Sequence, residues 1–172
     1  MWRIFQWILR FFLYPKYVNI PMEPKVTEEL KELKRLAKAV AMRESSGNYE
    51  VVNTLGYMGA YQFGMPRLCD LGYTKREGDG FVWVPPYNKN VFLTTPVIQD
   101  IAFYEHVIDL IPKVAPYLKY TEDYTISGLV MGAHLAGMGG VDKYFKRHHD
   151  SKDMHGTSIV SYMEEFSGYK IV

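Results

Sequence analysis

Glu44 stands at the end of an amphipathic helical pattern, and Ser-Ser-Gly-Asn follows it directly. It comes seven residues after Ala37 and four after Val40, so at about 100° per residue it points within about 40° of the apolar face of that helix. A free glutamic acid has a pKa of about 4.3, and burial against apolar groups keeps the proton on such a carboxyl at higher pH. Glu44 is therefore either a satisfied helix-end residue or a general acid, and the rest of the chain decides between them.

The elements that must position Glu44 are mostly helical. Apolar residues recur every three to four positions from Thr27 to Ala41, and Gly47 is expected to end this helix. Residues 53–64 carry three glycines between aromatic residues, which predicts a short hairpin or an irregular pair of strands. Further helices are predicted at residues 65–73, 97–111, 124–137 and 156–166, and a loop at residues 74–90.

The predicted fold class is therefore mainly α (α+β), with a small β element directly after the helix that carries Glu44. In the helix over residues 124–137, Gly128, Gly132 and Ala136 recur every four residues. Small residues at this spacing lie on one face, which predicts a smooth surface for close packing of a second helix.

Size and charge narrow the classes of function. The chain has 172 residues with 48% hydrophobic and 23% charged, which fits one folded domain with a short appendage. Its net charge of +1 predicts no nucleic-acid partner. The single cysteine, Cys69, excludes an intramolecular disulfide.

The N-terminal residues form a separate segment. Arg3, Gln6 and Arg10 make one polar stripe on an otherwise apolar pattern, which predicts an amphipathic helix over residues 1–20. Its apolar run is shorter than the roughly 20 residues of a membrane span, and no cleavable signal peptide is evident. Residues 1–14 are expected to dock on a membrane surface or a partner protein, or equally to pack on the chain's own domain. The predicted linker is 21–26, and the predicted main domain is 27–172.

Three ordered motifs in the main domain resemble one family. ESSGNY (residues 44–49) followed by GAYQFG (residues 59–64) resembles the E-S-x-x-N … G-x-x-Q signature of soluble lytic transglycosylases and goose-type lysozymes. GAHLAGMGGV (residues 132–141) is similar to their A-Y-N-A-G-x-G-x-V motif, and the segment 156–166 is similar to the tail of phage-type and secretion-associated members. The resemblance covers residues 40–166 and implies a lysozyme-like fold.

The resemblance implies cleavage of the β-1,4 bond between N-acetylmuramic acid and N-acetylglucosamine in peptidoglycan glycan strands, without cofactor or metal. Glu44 takes the place of the general acid/base. Aromatic rings can stack on sugar faces, so Tyr57 and Tyr61 join the expected substrate contacts. The expected substrate-binding residues are Ser45, Ser46, Tyr57, Tyr61, Gln62, His134 and Gly137.

A second carboxylate would decide the type of product. Inverting hydrolases need one about 6.5–9.5 Å from the acid, and retaining ones need one about 5–5.5 Å away. Goose-type lysozymes carry an aspartate two residues after the motif glutamine, where this chain has Gly64. Glu50 and Asp70 are nearby candidates without motif support. The pattern thus favours a lytic transglycosylase, which forms a 1,6-anhydro sugar, over a hydrolytic muramidase.

The chain departs from the family pattern at two positions. His134 and Leu135 stand where the motif has tyrosine and asparagine, so the substrate contacts at these two positions are expected to differ from those of the family. The histidines of residues 147–155 lack the ligand spacing of zinc sites, so no metal site is predicted.

Other classes of function stay open at this point. A non-catalytic glycan-binding protein, or a structural component of a virion or cell envelope, could keep the same fold. Cleavage of peptidoglycan implies action in the periplasm or cell envelope, or from a virion, with a membrane tether as one arrangement. Host lysis, secretion and wall remodelling all use this domain.

Overall fold

The computed structural model describes residues 24–153 and 156–172, with side chains from Glu28 onward in the first helix. Within these residues the chain is mainly helical with one two-stranded antiparallel sheet, so the predicted α+β class is confirmed. The elements in chain order are α1 (Pro24–Ser45), α2 (Met65–Asp70), β1 (Thr74–Glu77), β2 (Gly80–Trp83), α3 (Lys89–Thr94), α4 (Pro96–Val114), a 3-10 helix (Ala115–Tyr120), α5 (Ile126–Arg147) and α6 (Ile159–Glu165).

Most of the predictions for the N-terminal segment concern residues that the structure does not describe. The amphipathic helix predicted for residues 1–20 and the first part of the linker, residues 21–23, lie outside the described residues. Residues 24–26 belong to α1, which begins three residues before the predicted start at Thr27. None of the helices from Pro24 onward that the structure describes has the length and apolar character to cross a membrane.

The chain divides into two compact units. One is continuous and comprises residues 37–106, and the other combines the described residues up to Leu36 with residues 107–172. The first unit contains Glu44 and the turn around Gln62. The second contains His134 and Gly137.

The core of the unit 37–106 is aromatic. The predicted apolar face of α1 is confirmed, since Ala37, Val40 and Ala41 are all buried. The ring of Tyr61 stacks on that of Phe103 with their centroids 4.4 Å apart. This stacking fixes the segment after α1 against the face of α4.

The regular sheet lies after the β element predicted from the sequence. Residues 53–64, predicted as a short hairpin or an irregular pair of strands, form isolated antiparallel bridges from Met58 to Val52 and to Phe63, because tight turns interrupt a longer ladder. The regular sheet is β1–β2, inside the predicted loop 74–90, and it pairs Glu77 with Gly80. Only Gly78 and Asp79 separate the two strands, and a Gly-Asp pair between two strand-like runs is a recognised hairpin signal that the sequence reading missed. Helix α3, also in that region, was not predicted.

The unit containing residues 107–172 is organised by α5 and α6. A Cβ atom at Gly128 would lie 2.5 Å from the carbonyl oxygen of Met163, and one at Gly132 would lie 2.6 Å from its Cγ. The smooth surface predicted for α5 is thus confirmed at these two glycines. Near the C-terminus, the backbone N–H of Lys170 donates to the Glu32 carboxylate.

Candidate functional site

Glu44 is the second-last residue of α1, and its side chain is half-buried. The helix ends because Ser46 and Gly47 both have left-handed backbone angles, with φ of 56° and 76°. The N–H of Gly47 donates to the carbonyl oxygen of Ala41 at 2.9 Å, which closes the helix end. The predicted role of Gly47 as the helix stop agrees with this geometry.

Ser45 connects the end of α1 to the second motif. Its hydroxyl oxygen lies 3.0 Å from the carbonyl oxygen of Ala60 and 3.1 Å from that of Ala41, and the single hydroxyl proton is shared between these two acceptors. The structure therefore brings the ESSG and GAYQ segments together through the residue next to Glu44. Ser46 is exposed to solvent.

Gln62 closes the turn that contains Ala60. Its backbone φ of 49° is left-handed, which is uncommon for a residue with a side chain. The N–H and the Nε2 of Gln62 both donate to the carbonyl oxygen of Gly59, at 3.2 and 2.8 Å. The half-buried side chain of Gln62 thus already makes a hydrogen bond within its own turn.

Tyr61 and Tyr57 occupy opposite environments. Tyr61 is only 2% exposed, so its ring belongs to the core and cannot stack on a sugar without rearrangement. Tyr57 is 43% exposed, and a Cβ at Gly64 would lie 3.0 Å from its ring. Of the two predicted substrate contacts, Tyr57 is the one that a ligand can reach.

The two weak candidates for a second carboxylate both lie on the surface. Glu50 is exposed. Asp70 is also exposed, and its carboxylate pairs with Arg67 at 3.4 Å. Neither has the burial that distinguishes a tuned catalytic carboxyl.

The sequence reading missed Gln99, which is fully buried in α4. Its Oε1 accepts from the N–H of Ala60, and its Nε2 donates to the carbonyl oxygens of Tyr49 and Phe92, each at 2.8 Å. These three bonds use the acceptor and both donors of the amide toward close partners. The available signal was a polar residue inside an apolar helical run, on the same face as Phe103.

Asp100, the next residue, was also missed. Its Oδ1 accepts hydroxyl hydrogen bonds from Tyr61 at 2.6 Å and from Tyr49 at 2.8 Å. Burial and the Asp100 carboxylate raise the pKa of Tyr61 far above its ordinary value, and they also raise the pKa of Tyr49. Both tyrosines therefore remain hydrogen-bond donors to this half-buried carboxylate.

A second half-buried carboxyl lies further along α4. Burial raises the pKa of Glu105, and a hydrogen bond from the Tyr73 hydroxyl, at 2.8 Å, opposes the shift. The neighbouring His106 is buried and accepts a hydrogen bond at Nδ1 from Arg67 Nε at 2.7 Å. These contacts join α2 and the start of β1 to α4.

The third motif belongs to the other unit. His134 is half-buried and Gly137 is exposed, both within α5. Gly137 has φ 66° and ψ 172°, so it breaks the helix between residues 136 and 138. A residue with a side chain is strained at this φ, which gives the glycine of the predicted motif a backbone role.

The residues that the structure describes contain no group of three or more histidine, cysteine, aspartate or glutamate side chains suited to hold a metal ion. His155 of the histidine-rich segment lies outside them. No protein-family model, curated protein or solved structure matches the chain.

Proposed function

We propose that this chain is a lytic transglycosylase that cleaves the β-1,4 bond of peptidoglycan, with Glu44 as its general acid and base. The observation that carries the proposal is the hydrogen bond from Ser45 to Ala60. It ties the residue beside Glu44 to the turn that ends in Gln62, so the first two motifs of the resemblance are adjacent in space. If Glu44 only ended a helix, nothing would require the GAYQ turn to lie beside it.

The reaction assigns two steps to Glu44. As an acid it gives its proton to the glycosidic oxygen as the bond from that oxygen to C1 of the muramic acid breaks. As a base it then removes the proton of the sugar's 6-hydroxyl, whose oxygen bonds to C1. The product is a 1,6-anhydro sugar, and no water enters the bond that was broken.

The surroundings of Gly64 favour this internal attack over hydrolysis. Goose-type lysozymes carry an aspartate at the matching position, whereas here the ring of Tyr57 fills the space next to the glycine. Glu50 and Asp70 are exposed on the surface. None of these three positions offers a buried base that could activate water.

Hydrolysis has one specific observation in its favour. Asp100 is a half-buried carboxylate that contacts the tyrosine of the GAYQ turn through a hydrogen bond of 2.6 Å. A hydrolytic muramidase with Asp100 as the base for water is therefore the second candidate function.

The test is mass spectrometry of purified peptidoglycan after incubation with the protein. Muropeptides ending in 1,6-anhydro-N-acetylmuramic acid are expected, and Glu44→Gln should lower their yield by about 10²- to 10⁴-fold. Glu77→Gln changes an exposed carboxylate of β1 and serves as the matched control, with activity unchanged. Reducing ends in place of anhydro ends would identify a hydrolase. A folded wild-type protein that releases no product would refute both enzymatic functions and favour a glycan-binding role.

A further inference from the structure

We propose that Gln99 and Asp100, consecutive residues of α4, are positioning residues of the Glu44 site. They hold the segment that follows Glu44 and the turn of residues 59–62 in fixed relation to each other. The inference rests on the proposed function, and it assigns a role to two residues outside every motif of the resemblance.

Gln99 acts on the backbone of both segments. Its Oε1 holds the N–H of Ala60, while its Nε2 holds the carbonyl oxygen of Tyr49, five residues after Glu44. The carbonyl oxygen of Ala60 in turn accepts from the Ser45 hydroxyl. Both backbone polar groups of the buried Ala60 are thus bonded, its N–H by α4 and its carbonyl oxygen by the residue next to Glu44.

Gly59 shows how closely the turn approaches α4. A Cβ at this position would lie 1.9 Å from Oε1 of Gln99 and 2.6 Å from its Cδ. Only glycine allows this approach, and its φ of +75° is also one that side chains disfavour. The turn sequence is therefore matched to the buried amide of Gln99.

Asp100 acts on the side chains of the same two segments. One oxygen, Oδ1, receives the hydroxyl of Tyr49 from the first segment and that of Tyr61 from the turn. The two rings also meet edge to face, with centroids 6.3 Å apart. A single carboxylate oxygen therefore fixes both tyrosines, in parallel with the backbone bonds of the adjacent Gln99.

Loosening these contacts should affect the chemical step more than substrate binding. A general acid works only when its proton lies within hydrogen-bond reach of the leaving oxygen, and a misplacement of about 1 Å costs on the order of 10²-fold in rate. Glycan contacts elsewhere on the protein would persist. The expected signature is a lower kcat with little change in KM.

The variants are chosen at Asp100 because removing the Gln99 amide leaves buried backbone groups unpaired, which can prevent folding. Asp100→Ala removes the acceptor of both tyrosine hydroxyls. Asp100→Asn keeps an oxygen that can accept them and removes the charge. Asp109→Asn, on the same helix, changes a surface carboxylate that pairs with Lys113 and serves as the control.

The first readout is turnover of soluble, uncrosslinked glycan strands prepared from peptidoglycan, well below the unfolding temperature. Asp100→Ala should lower kcat by about 10- to 100-fold with KM changed less than about 3-fold, and Asp100→Asn should restore kcat to within about 3-fold of wild type. Equal losses in the two variants would overturn the positioning role, because the charge rather than the acceptor would then be needed. Wild-type kcat in a folded Asp100→Ala protein would also overturn it.

The second readout is hydrogen exchange over residues 45–63, which requires no substrate. Exchange should be faster in Asp100→Ala than in the wild type, and Asp100→Asn should resemble the wild type. Unchanged exchange in Asp100→Ala would overturn the claim that Asp100 holds these segments. A further outcome is that exchange responds as expected while the wild type releases no product from peptidoglycan. That result would support the contacts of Asp100 with residues 45–63 but refute the proposed function, and with it the role of Gln99 and Asp100 in catalysis.

Discussion

Replacing Gly59 with alanine tests the close contact between the GAYQ turn and α4. The added Cβ would lie 1.9 Å from Oε1 and 3.0 Å from Nε2 of Gln99, so the amide must move by about an ångström or more to reach an ordinary contact distance. Such a shift breaks the bonds that the amide makes with Ala60, Tyr49 and Phe92, each 2.8 Å long.

Two contributions set the expected loss of stability. An alanine in the left-handed region costs about 1–2 kcal/mol. A buried polar group that loses its partner costs about 1–3 kcal/mol, and at least one of the three groups around Gln99 is expected to lose it. Gly59→Ala should therefore lower the free energy of unfolding by about 2–5 kcal/mol.

Gly56→Ala is the matched control, measured by urea unfolding alongside Gly59→Ala. Gly56 lies three residues earlier with φ of +85°, and a Cβ there would meet nothing within 4 Å. It therefore carries the backbone penalty alone, about 1–2 kcal/mol. The two variants should differ by roughly 1–3 kcal/mol in unfolding free energy. Equal losses would refute the inferred contact, since they would mean that Gln99 imposes nothing on this turn.

Two further predictions concern stability. Burial raises the pKa of Glu105 in the folded protein above its ordinary value of 4.5. As pH rises, the unfolded chain therefore loses this proton before the folded protein does. The free energy of unfolding should fall from about pH 4.5 up to the pKa of Glu105 in the folded protein. The amide oxygen of Glu105→Gln can still accept the Tyr73 hydroxyl. In urea unfolding, the stability of this variant relative to the wild type should therefore increase as pH rises, and a difference that does not change with pH would contradict this. In α5, Gly128→Ala would bring Cβ to 2.5 Å from a backbone oxygen and should destabilise by about 1–3 kcal/mol. Gly139→Ala meets nothing within 4 Å and should stabilise by about 0.5–1 kcal/mol, so a thermal melt that ranks the two variants the other way would contradict the packing described for α5.

Local patterns predicted the helices well. The apolar period of α1, the glycine stop after it and the small-residue face of α5 are properties of neighbouring residues, and the structure reproduces them. The predicted helix over residues 156–166 forms as α6, where Ser158 is the N-cap and accepts from the N–H of Ser161. Each of these features depends on the spacing of neighbouring residues, which determines the side chains that share a helix face and the residues that begin or end a helix.

The parts that escaped prediction depend on distant partners or on a short turn. The bond from Gln99 to Ala60 joins residues 39 positions apart, and no periodicity links them. Likewise, the sheet at Thr74 and Trp83 forms where a two-residue turn aligns two short runs that look irregular alone. For the candidate site, the sequence singled out Glu44 and its neighbours, whereas the bonds from α4 to Tyr49 and Ala60 depend on how the chain folds.

The contacts of Ser45 and Glu32 also imply an order of events during synthesis. The hydroxyl of Ser45 finds its acceptor 15 residues later, whereas the Glu32 carboxylate binds an N–H 138 residues further along the chain. Loop closure over the longer span costs about 2 kcal/mol more in chain entropy. It also cannot occur before Lys170 has left the ribosome. The continuous unit that contains Glu44 can thus assemble before residue 170 is made, whereas the unit in which Glu32 binds Lys170 must wait for that residue.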